Sequence, residues 1–114
     1  MSKLSKISKC PPAAVEQILT LLGWNIRTAR LRRKMRIEDL AQRVGVSRFV
    51  MSDIEKGKPT TAIVSYLGAL WALGLLDGMQ KIADPDLDTE GKILEKFRTP
   101  KTAAKRKKDL DNDF

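Results

Sequence analysis

The segment 44–57 constrains the fold of this chain most, because a glycine, a serine and a short amphipathic run follow one another in it without a gap. Gly45 supplies the left-handed backbone that ends one helix, and Ser47 can accept a hydrogen bond from the free amides that open the next helix. At about 100° per residue, one face of the second helix carries Val50, Met51 and Ile54. The opposite face carries Arg48, Phe49, Ser52 and Asp53. The pattern predicts two helices joined by a tight turn, the second with one side for the core and one for a ligand.

This arrangement is typical of a DNA-binding helix-turn-helix. The major groove admits one α-helix, and side chains near the start of that helix contact the edges of the bases. The alternative is an ordinary surface helix with one buried side. The sequence around the segment favours the first interpretation.

The chain is basic, and its positive charge is concentrated in one half. It has 114 residues, with 22 Lys and Arg against 14 Asp and Glu, which gives a net charge of +8. The part before residue 61 holds 13 of the basic and 5 of the acidic side chains, so it carries the whole excess. Such a balance suits a polyanionic partner, whether DNA, RNA or an acidic membrane surface.

Composition also argues against several function classes. There is no histidine, so the usual general base and the commonest metal ligand are both missing. Cys10 is the only cysteine, which excludes an internal disulfide and favours a reducing compartment. We find no paired acids and no phosphate-binding loop, and no apolar run is long enough for a signal peptide or a membrane span. We therefore expect a cytoplasmic protein that is not an enzyme and has no cofactor, no metal and no membrane partner.

Apolar periodicity predicts an all-α chain in three parts: a flexible basic arm over 1–12, a helical domain over 13–98 and a disordered charged tail over 99–114. The arm could lie on phosphates or remain a solvated tail. The first helix starts at Ala13, and a second segment runs from Trp24 to about Arg33; the two are either separate helices or one helix that continues through Gly23. The other predicted helices are Arg36–Val44, the segment after Ser47 up to Gly57, Ala62–Leu73 capped by Thr60 or Thr61, Leu75–Ile82, and Thr89–Phe97 capped by Asp88 or Thr89.

The stretch 63–76 is apolar on almost every side. In so small a domain, a helix of this kind must bury its second face against something else. We infer that it meets a second subunit, with a dimer interface formed by Leu70, Trp71, Leu73, Leu75, Leu76 and Met79.

Three motifs resemble the Xre, or lambda-repressor-like, helix-turn-helix family. They are Leu22-Gly23-Trp24-Asn25-Ile26-Arg27-Thr28-Ala29-Arg30, then Glu38-Asp39-Leu40-Ala41-Gln42-Arg43-Val44-Gly45-Val46-Ser47, then Ile54-Glu55-Lys56-Gly57. The resemblance spans roughly 22–76 and implies a five-helix DNA-binding domain, usually dimeric, on a palindromic operator. Here that core would carry an extra N-terminal helical segment and a short C-terminal helix.

The resemblance also assigns roles to single residues. The base-reading positions fall on Ser47, Arg48, Phe49, Ser52 and Asp53. Of these, Arg48 can donate two hydrogen bonds to guanine, Phe49 can contact a thymine methyl group, and Asp53 can accept from cytosine or instead orient Arg48 or a neighbouring basic group. The phosphate contacts fall on Arg27, Arg36, Gln42 and Lys56, to which we add Lys58. The pair Arg30 and Glu55 matches a buried ion pair that is structural.

The chain departs from the family pattern at two positions. Where relatives place Ser, Thr or Asn to cap the second helix, this chain has Arg36, which cannot accept the amide bond. Where they commonly place a glutamine for a phosphate, it has Ile37. The positive charge of Arg36 can restore phosphate attraction, although a cation is mildly unfavourable at the start of a helix.

A second resemblance covers the C-terminal half. The segments Tyr66-Leu67, Leu70–Leu75, Asp84–Asp88 and Lys107–Phe114 are similar to HipB-like antitoxins encoded beside HipA-like kinase toxins. It implies a repressor that autoregulates its operon and holds a kinase toxin inactive by binding it. The alternatives are a phage-type or general Xre regulator without a toxin, and a basic module that binds a protein or RNA. The tail is then a solubilising end, a segment that folds onto the kinase, or a handle for proteolysis.

Overall fold

The computed structural model describes residues 4–98, and within this range it contains seven helices and no strand. The prediction of an all-α chain is therefore confirmed for that part. The tail over 99–114, for which we expected disorder, lies outside the described residues, and so do the first three residues of the arm. The helices are α1 (Lys6–Lys9), α2 (Ala13–Arg32), α3 (Ile37–Val44), α4 (Arg48–Lys56), α5 (Ile63–Leu73), a 3-10 helix (Leu76–Lys81) and α6 (Thr89–Lys96).

The first long helix runs through Gly23 without a break, so of the two alternatives left by the sequence the continuous helix is correct. Gly23 lies where α2 crosses the end of α4. A Cβ atom on Gly23 would lie 2.6 Å from the carbonyl oxygens of Ile54 and Glu55, and one on Gly57 would meet the backbone of Leu19. The two backbones can approach this closely only because both positions lack a side chain.

The core lies where α2, α3, α4 and α5 meet: α2 packs against α4 and α5, and α3 packs against the same two helices. The largest side chains that are completely buried are Ile26, Leu40, Met51 and Ile54. Ala41 is buried as well, and its small side chain lets the backbones of α3 and α4 approach each other. These residues are the apolar positions that the helical periodicity selects.

The turn between α3 and α4 has the expected chemistry. Gly45 adopts the left-handed conformation with φ of 86°, and the Ser47 hydroxyl accepts a hydrogen bond of 3.1 Å from the Val50 amide. Both predictions are confirmed. The prediction for the start of α5 is wrong, because the N-cap residue is Ala62 and no side chain accepts a hydrogen bond there.

The described residues fall into two compact units, 4–77 and 78–98. In the first unit, the expected basic arm contains one helical turn, α1, capped by Ser5. In the second unit, Asp88 caps α6 by accepting a hydrogen bond of 2.9 Å from the Gly91 amide. No helix in the described part of the chain has the length and apolar character needed to cross a membrane.

Candidate nucleic-acid interface

The helix α4 presents two different faces. Met51 and Ile54 are fully buried, and Val50 is half-buried. On the other side, Phe49 is 82% exposed and the Arg48 side chain is 67% exposed. An aromatic ring this exposed contributes little to the stability of its own chain, so its place at the start of α4 is more useful for contact with a ligand.

The other three predicted base-reading residues are less free. Ser47 is exposed, but its hydroxyl already caps α4. Ser52 and Asp53 are half-buried. The structure therefore brings all five positions onto the first two turns of α4 and the residue before it, and the most protruding of them are Arg48 and Phe49.

A buried ion pair holds α4 against α2. The Arg30 guanidinium donates to both carboxylate oxygens of Glu55, through Nε at 2.7 Å and through Nη2 at 3.0 Å, and its Nη1 donates to the Met35 carbonyl oxygen at 2.9 Å. The hydrogen bond with Glu55 raises the pKa of Arg30 above its ordinary value. This is the ion pair expected from the sequence, and its third bond also fixes the turn that leads into α3.

A second ion pair joins α3 to α4 at the exposed face. Nη1 of Arg48 lies 3.4 Å from Oε1 of Glu38, while Asp53 lies 3.8 Å from Nζ of Lys58. The sequence leaves open whether Asp53 orients Arg48 or a neighbouring basic group. In the structure Asp53 lies beside such a group, Lys58. Glu38 was not singled out from the sequence. Its position in the first turn of α3 was visible, but its distance from Arg48 depends on the angle between the two helices.

The start of α3 is capped in an unexpected way. The backbone N–H of Arg36 donates a hydrogen bond of 2.9 Å to Oδ2 of Asp39, and this bond lowers the pKa of Asp39 below its ordinary value. The Arg36 side chain, whose Nε lies 3.6 Å from the same oxygen, accepts nothing. The reciprocal half of a capping box is thus present although Ser, Thr or Asn is missing, and an acidic residue three positions after Arg36 is the sequence signal for it.

The segment after α4 is fixed by a buried tyrosine. The Tyr66 hydroxyl donates a hydrogen bond of 2.8 Å to the Lys58 carbonyl oxygen. Burial of the ring raises the pKa of Tyr66 to about 12, so the hydroxyl stays a donor at any physiological pH. Tyr66 holds the backbone of Lys58 close to α4. From the sequence, Tyr66 was named only in a segment of the second resemblance, and its hydrogen bond to Lys58 was not predicted.

The residues assigned to phosphate contacts are all at the surface. The five exposed side chains are Arg27, Arg36, Gln42, Lys56 and Lys58. Among them, Arg27 lies over the ring of Trp24, with 5.5 Å between its Cζ and the ring centroid. Four of the five are cationic and would be attracted to a phosphate backbone, and Gln42 can donate a hydrogen bond to a phosphate oxygen.

The residues assigned to a dimer interface divide into two groups. Leu70 and Leu73 are buried in the core of their own chain, so their side chains cannot meet a second subunit in this conformation. Trp71 is 63% exposed and Leu75 is 44% exposed, whereas Leu76 and Met79 are half-buried. Periodicity could not separate these groups, because α5 is apolar on nearly every side.

No group of three or more potential metal ligands lies together within residues 4–98. No protein-family model, curated protein or solved structure gives a significant match to this chain. The interface therefore has to be interpreted from its own residues.

Proposed function

We propose that this chain binds double-stranded DNA sequence-specifically, through α4 in the major groove, and represses transcription by occupying promoter DNA. The observation that carries the proposal is the contrast between the two faces of α4. One face is fixed by fully buried Met51 and Ile54 and by the Glu55 ion pair, while the other exposes Arg48 and Phe49. A rigid helix with exposed side chains at its start is what direct readout of base edges requires.

The exposed chemistry suits base edges. An arginine guanidinium can donate two parallel hydrogen bonds to O6 and N7 of guanine, and an aromatic ring can contact the methyl group of thymine. The net charge of +8 adds attraction to phosphates that does not depend on sequence. Specific recognition would then come from Arg48 and Phe49, and general affinity from the surrounding lysine and arginine side chains.

The proposed repressor is a homodimer on a palindromic operator. The exposed indole of Trp71 lies in the last turn of α5, and the exposed side chain of Leu75 lies two residues after the end of that helix. Both would be covered in a dimer. Two copies related by a two-fold axis present two reading helices to the same side of the duplex. Half-sites would then be separated by about 34–36 Å, one helical turn.

The finer assignment follows from the resemblances in the sequence. The chain would be a lambda-repressor-like regulator of the Xre family, and an antitoxin that neutralises a HipA-like kinase by binding it. Support for a kinase partner comes from the C-terminal half of the sequence alone. A kinase gene beside this one, and co-purification of the two products with loss of kinase activity, are the results expected. A regulator without a toxin would have neither.

The test of DNA binding is a titration with the duplex found upstream of this gene, beside a scrambled duplex of the same composition, at two salt concentrations. We expect the native duplex to bind at least about a thousandfold more tightly than the scrambled one. Arg48→Ala should remove most of this preference and leave weaker, salt-sensitive binding to both. The matched control is Arg32→Ala, which removes an exposed arginine of α2 that has no assigned DNA contact.

Two results would contradict the proposal. If the wild-type protein binds both duplexes alike, and both weaken together with salt, the basic half is only a general polyanion surface. If Arg48→Ala and Arg32→Ala reduce the preference equally, Arg48 does not read a base. RNA of the scrambled sequence, added as a competitor, distinguishes a general nucleic-acid surface from one that prefers duplex DNA.

A further inference from the structure

We infer that Glu38 is a positioning residue that sets the base specificity of Arg48. The inference rests on the proposed function, because it concerns how the same interface recognises DNA. Its basis is the ion pair between the first turn of α3 and the first residue of α4, in which Oε1 of Glu38 lies 3.4 Å from Nη1 of Arg48.

For recognition of a base, which atoms form this pair matters more than how much the pair stabilises the fold. Exposed ion pairs contribute little to stability, and here both side chains are substantially exposed. The closest approach of the carboxylate, however, is to the terminal nitrogen Nη1 of the guanidinium. The opposite edge, made of Nε and Nη2, has no hydrogen-bond partner among residues 4–98. That edge is a planar pair of donors, the geometry that fits O6 and N7 of guanine.

The backbone around the pair is fixed on both sides. The left-handed conformation of Gly45 and the Ser47 cap set the start of α4, and the Arg36 amide bonded to Asp39 sets the start of α3. A free arginine side chain samples many rotamers and loses that freedom when it binds a base. Because Glu38 restricts Arg48 before DNA arrives, less freedom is lost on binding a guanine that fits the remaining edge.

The charge of Glu38 also increases the preference for the specific sequence. A carboxylate near the phosphate backbone is repelled by every duplex, whatever its sequence. It therefore lowers affinity for non-specific DNA, where Arg48 gains only a phosphate contact. At a guanine in the right place, the bidentate contact offsets this repulsion. Asp53 cannot take this role in the observed arrangement, because it lies beside Lys58.

The experiment compares Glu38→Gln with Glu16→Gln, using the same native and scrambled duplexes. Glu16 is an exposed residue in the first turn of α2, so its variant changes the net charge equally without touching Arg48. For Glu38→Gln we expect the ratio of native to scrambled affinity to fall by about tenfold, within the range of one bidentate base contact. For Glu16→Gln both affinities should rise together and the ratio should stay constant.

The dependence on Arg48 is tested by a double-mutant cycle. In an Arg48→Ala background, Glu38→Gln should leave the ratio unchanged, because the side chain that Glu38 positions is gone. Far-UV circular dichroism checks that each variant is folded, which we expect because Glu38 is exposed and outside the core.

An unchanged ratio in Glu38→Gln, with both affinities raised as in Glu16→Gln, would show that Glu38 acts only through its charge and would overturn the inference. A higher ratio would overturn it too, because Glu38 would then compete with guanine. Either result leaves the wild-type preference intact, and so leaves the proposed function standing. Absence of any preference in the wild-type protein contradicts the proposed function itself.

Discussion

At the scale of single residues, the pair of Arg30 and Glu55 joins stability to the position of the reading helix. Glu55→Ala removes the partner of a buried guanidinium and leaves only its bond to the Met35 carbonyl. We expect the free energy of unfolding to fall by about 3–5 kcal/mol, because an uncompensated charge remains in the interior. Urea unfolding followed by circular dichroism measures this loss.

The control for that prediction lies on the same helix. Asp53→Ala removes a carboxylate whose partner, Lys58, is exposed, and we expect a loss of less than about 1 kcal/mol. Equal losses in the two variants would mean that burial of the Arg30 pair has no special effect on stability.

Tyr66 offers a second prediction at this scale, because it is the only tyrosine of the chain. Burial raises its pKa from the ordinary value of 10.0 to about 12. The folded state therefore keeps the proton longer than the unfolded state, so this contribution to stability is complete below pH 10 and is lost as the pH rises towards 12. The ultraviolet absorbance of the phenolate should titrate near 12 in the native protein and near 10 in concentrated urea.

Tyr66→Phe is the variant that accompanies this titration. It removes the phenolate signal and the hydrogen bond to the Lys58 carbonyl, so we expect a loss of about 1 kcal/mol at neutral pH. Between pH 10 and 12 the wild-type protein should lose stability relative to the variant. A native titration near 10 would show that the ring is accessible to water.

At the scale of secondary-structure elements, the crossing of α2 and α4 depends on missing side chains. Alanine favours a helix over glycine by about 1 kcal/mol, so Gly23→Ala would stabilise α2 in isolation. In the folded chain its Cβ atom would lie 2.6 Å from two carbonyl oxygens of α4. These are backbone atoms, so they cannot move away by a change of side-chain rotamer. We expect a net destabilisation of at least about 2 kcal/mol, measured by thermal unfolding.

Gly78→Ala is the matched control, because a Cβ atom there meets nothing within 4 Å. That substitution should leave the melting temperature nearly unchanged. If Gly23→Ala proved neutral or stabilising, the two helices would not be in the close contact that the structure shows.

The start of α3 gives a prediction about pH. The Arg36 amide lowers the pKa of Asp39 below its ordinary value of 3.8, so the carboxylate stabilises the folded state above that pH and stops doing so as the pH falls through the lower, folded value. Asp39→Ala should therefore be less stable than the wild type at neutral pH. The difference should shrink as the pH falls below 3.8 and disappear once the pH is below the folded pKa, where Asp39 is protonated in both the folded and the unfolded chain. Thermal unfolding across this range measures it, and a difference independent of pH would assign the effect to packing.

The elements also show what the sequence could and could not predict. The turn through Gly45 and Ser47 was predictable because its chemistry is local: one residue must tolerate a positive φ, and another must accept an amide bond. The buried positions of α3 and α4 followed from helical periodicity, whereas those of α5 did not, because that helix is apolar on nearly every side. The start of α5 was not predictable in this way, since its N-cap residue, Ala62, supplies no side-chain hydrogen bond.

Interactions between elements were the main part of the site that the sequence could not predict. The contact of Glu38 with Arg48 depends on the crossing angle of two helices, and the Tyr66 bond to Lys58 depends on where α5 packs. Neither leaves a periodic signal in the chain. The pair of Arg30 and Glu55 also lies 25 residues apart, and it was expected only because the sequence resembles a family in which those positions are paired.

At the scale of the whole molecule, the proposed dimer has to reconcile a strongly positive chain with self-association. Two copies at a net charge of +8 repel each other, so a stable contact needs an uncharged surface. The exposed ring of Trp71 lies on α5, which carries no charged side chain from Ile63 to Leu73. Trp71→Lys adds a charge to that surface without disturbing the core of its own chain.

We expect Trp71→Lys to convert the protein from a dimer to a monomer in sedimentation equilibrium, and to weaken binding to the native duplex by at least about a hundredfold, because two linked half-sites become separate binding events. The control is Trp24→Lys, which places the same change on a ring of similar exposure on α2. If Trp24→Lys dissociates the dimer and Trp71→Lys does not, the copies meet through α2 and the proposed α5 interface is wrong. If neither variant changes the mass, and the wild-type protein is a monomer, recognition has to come from a single reading helix. The affinity would then depend on one half-site, and symmetry in the operator would have no effect.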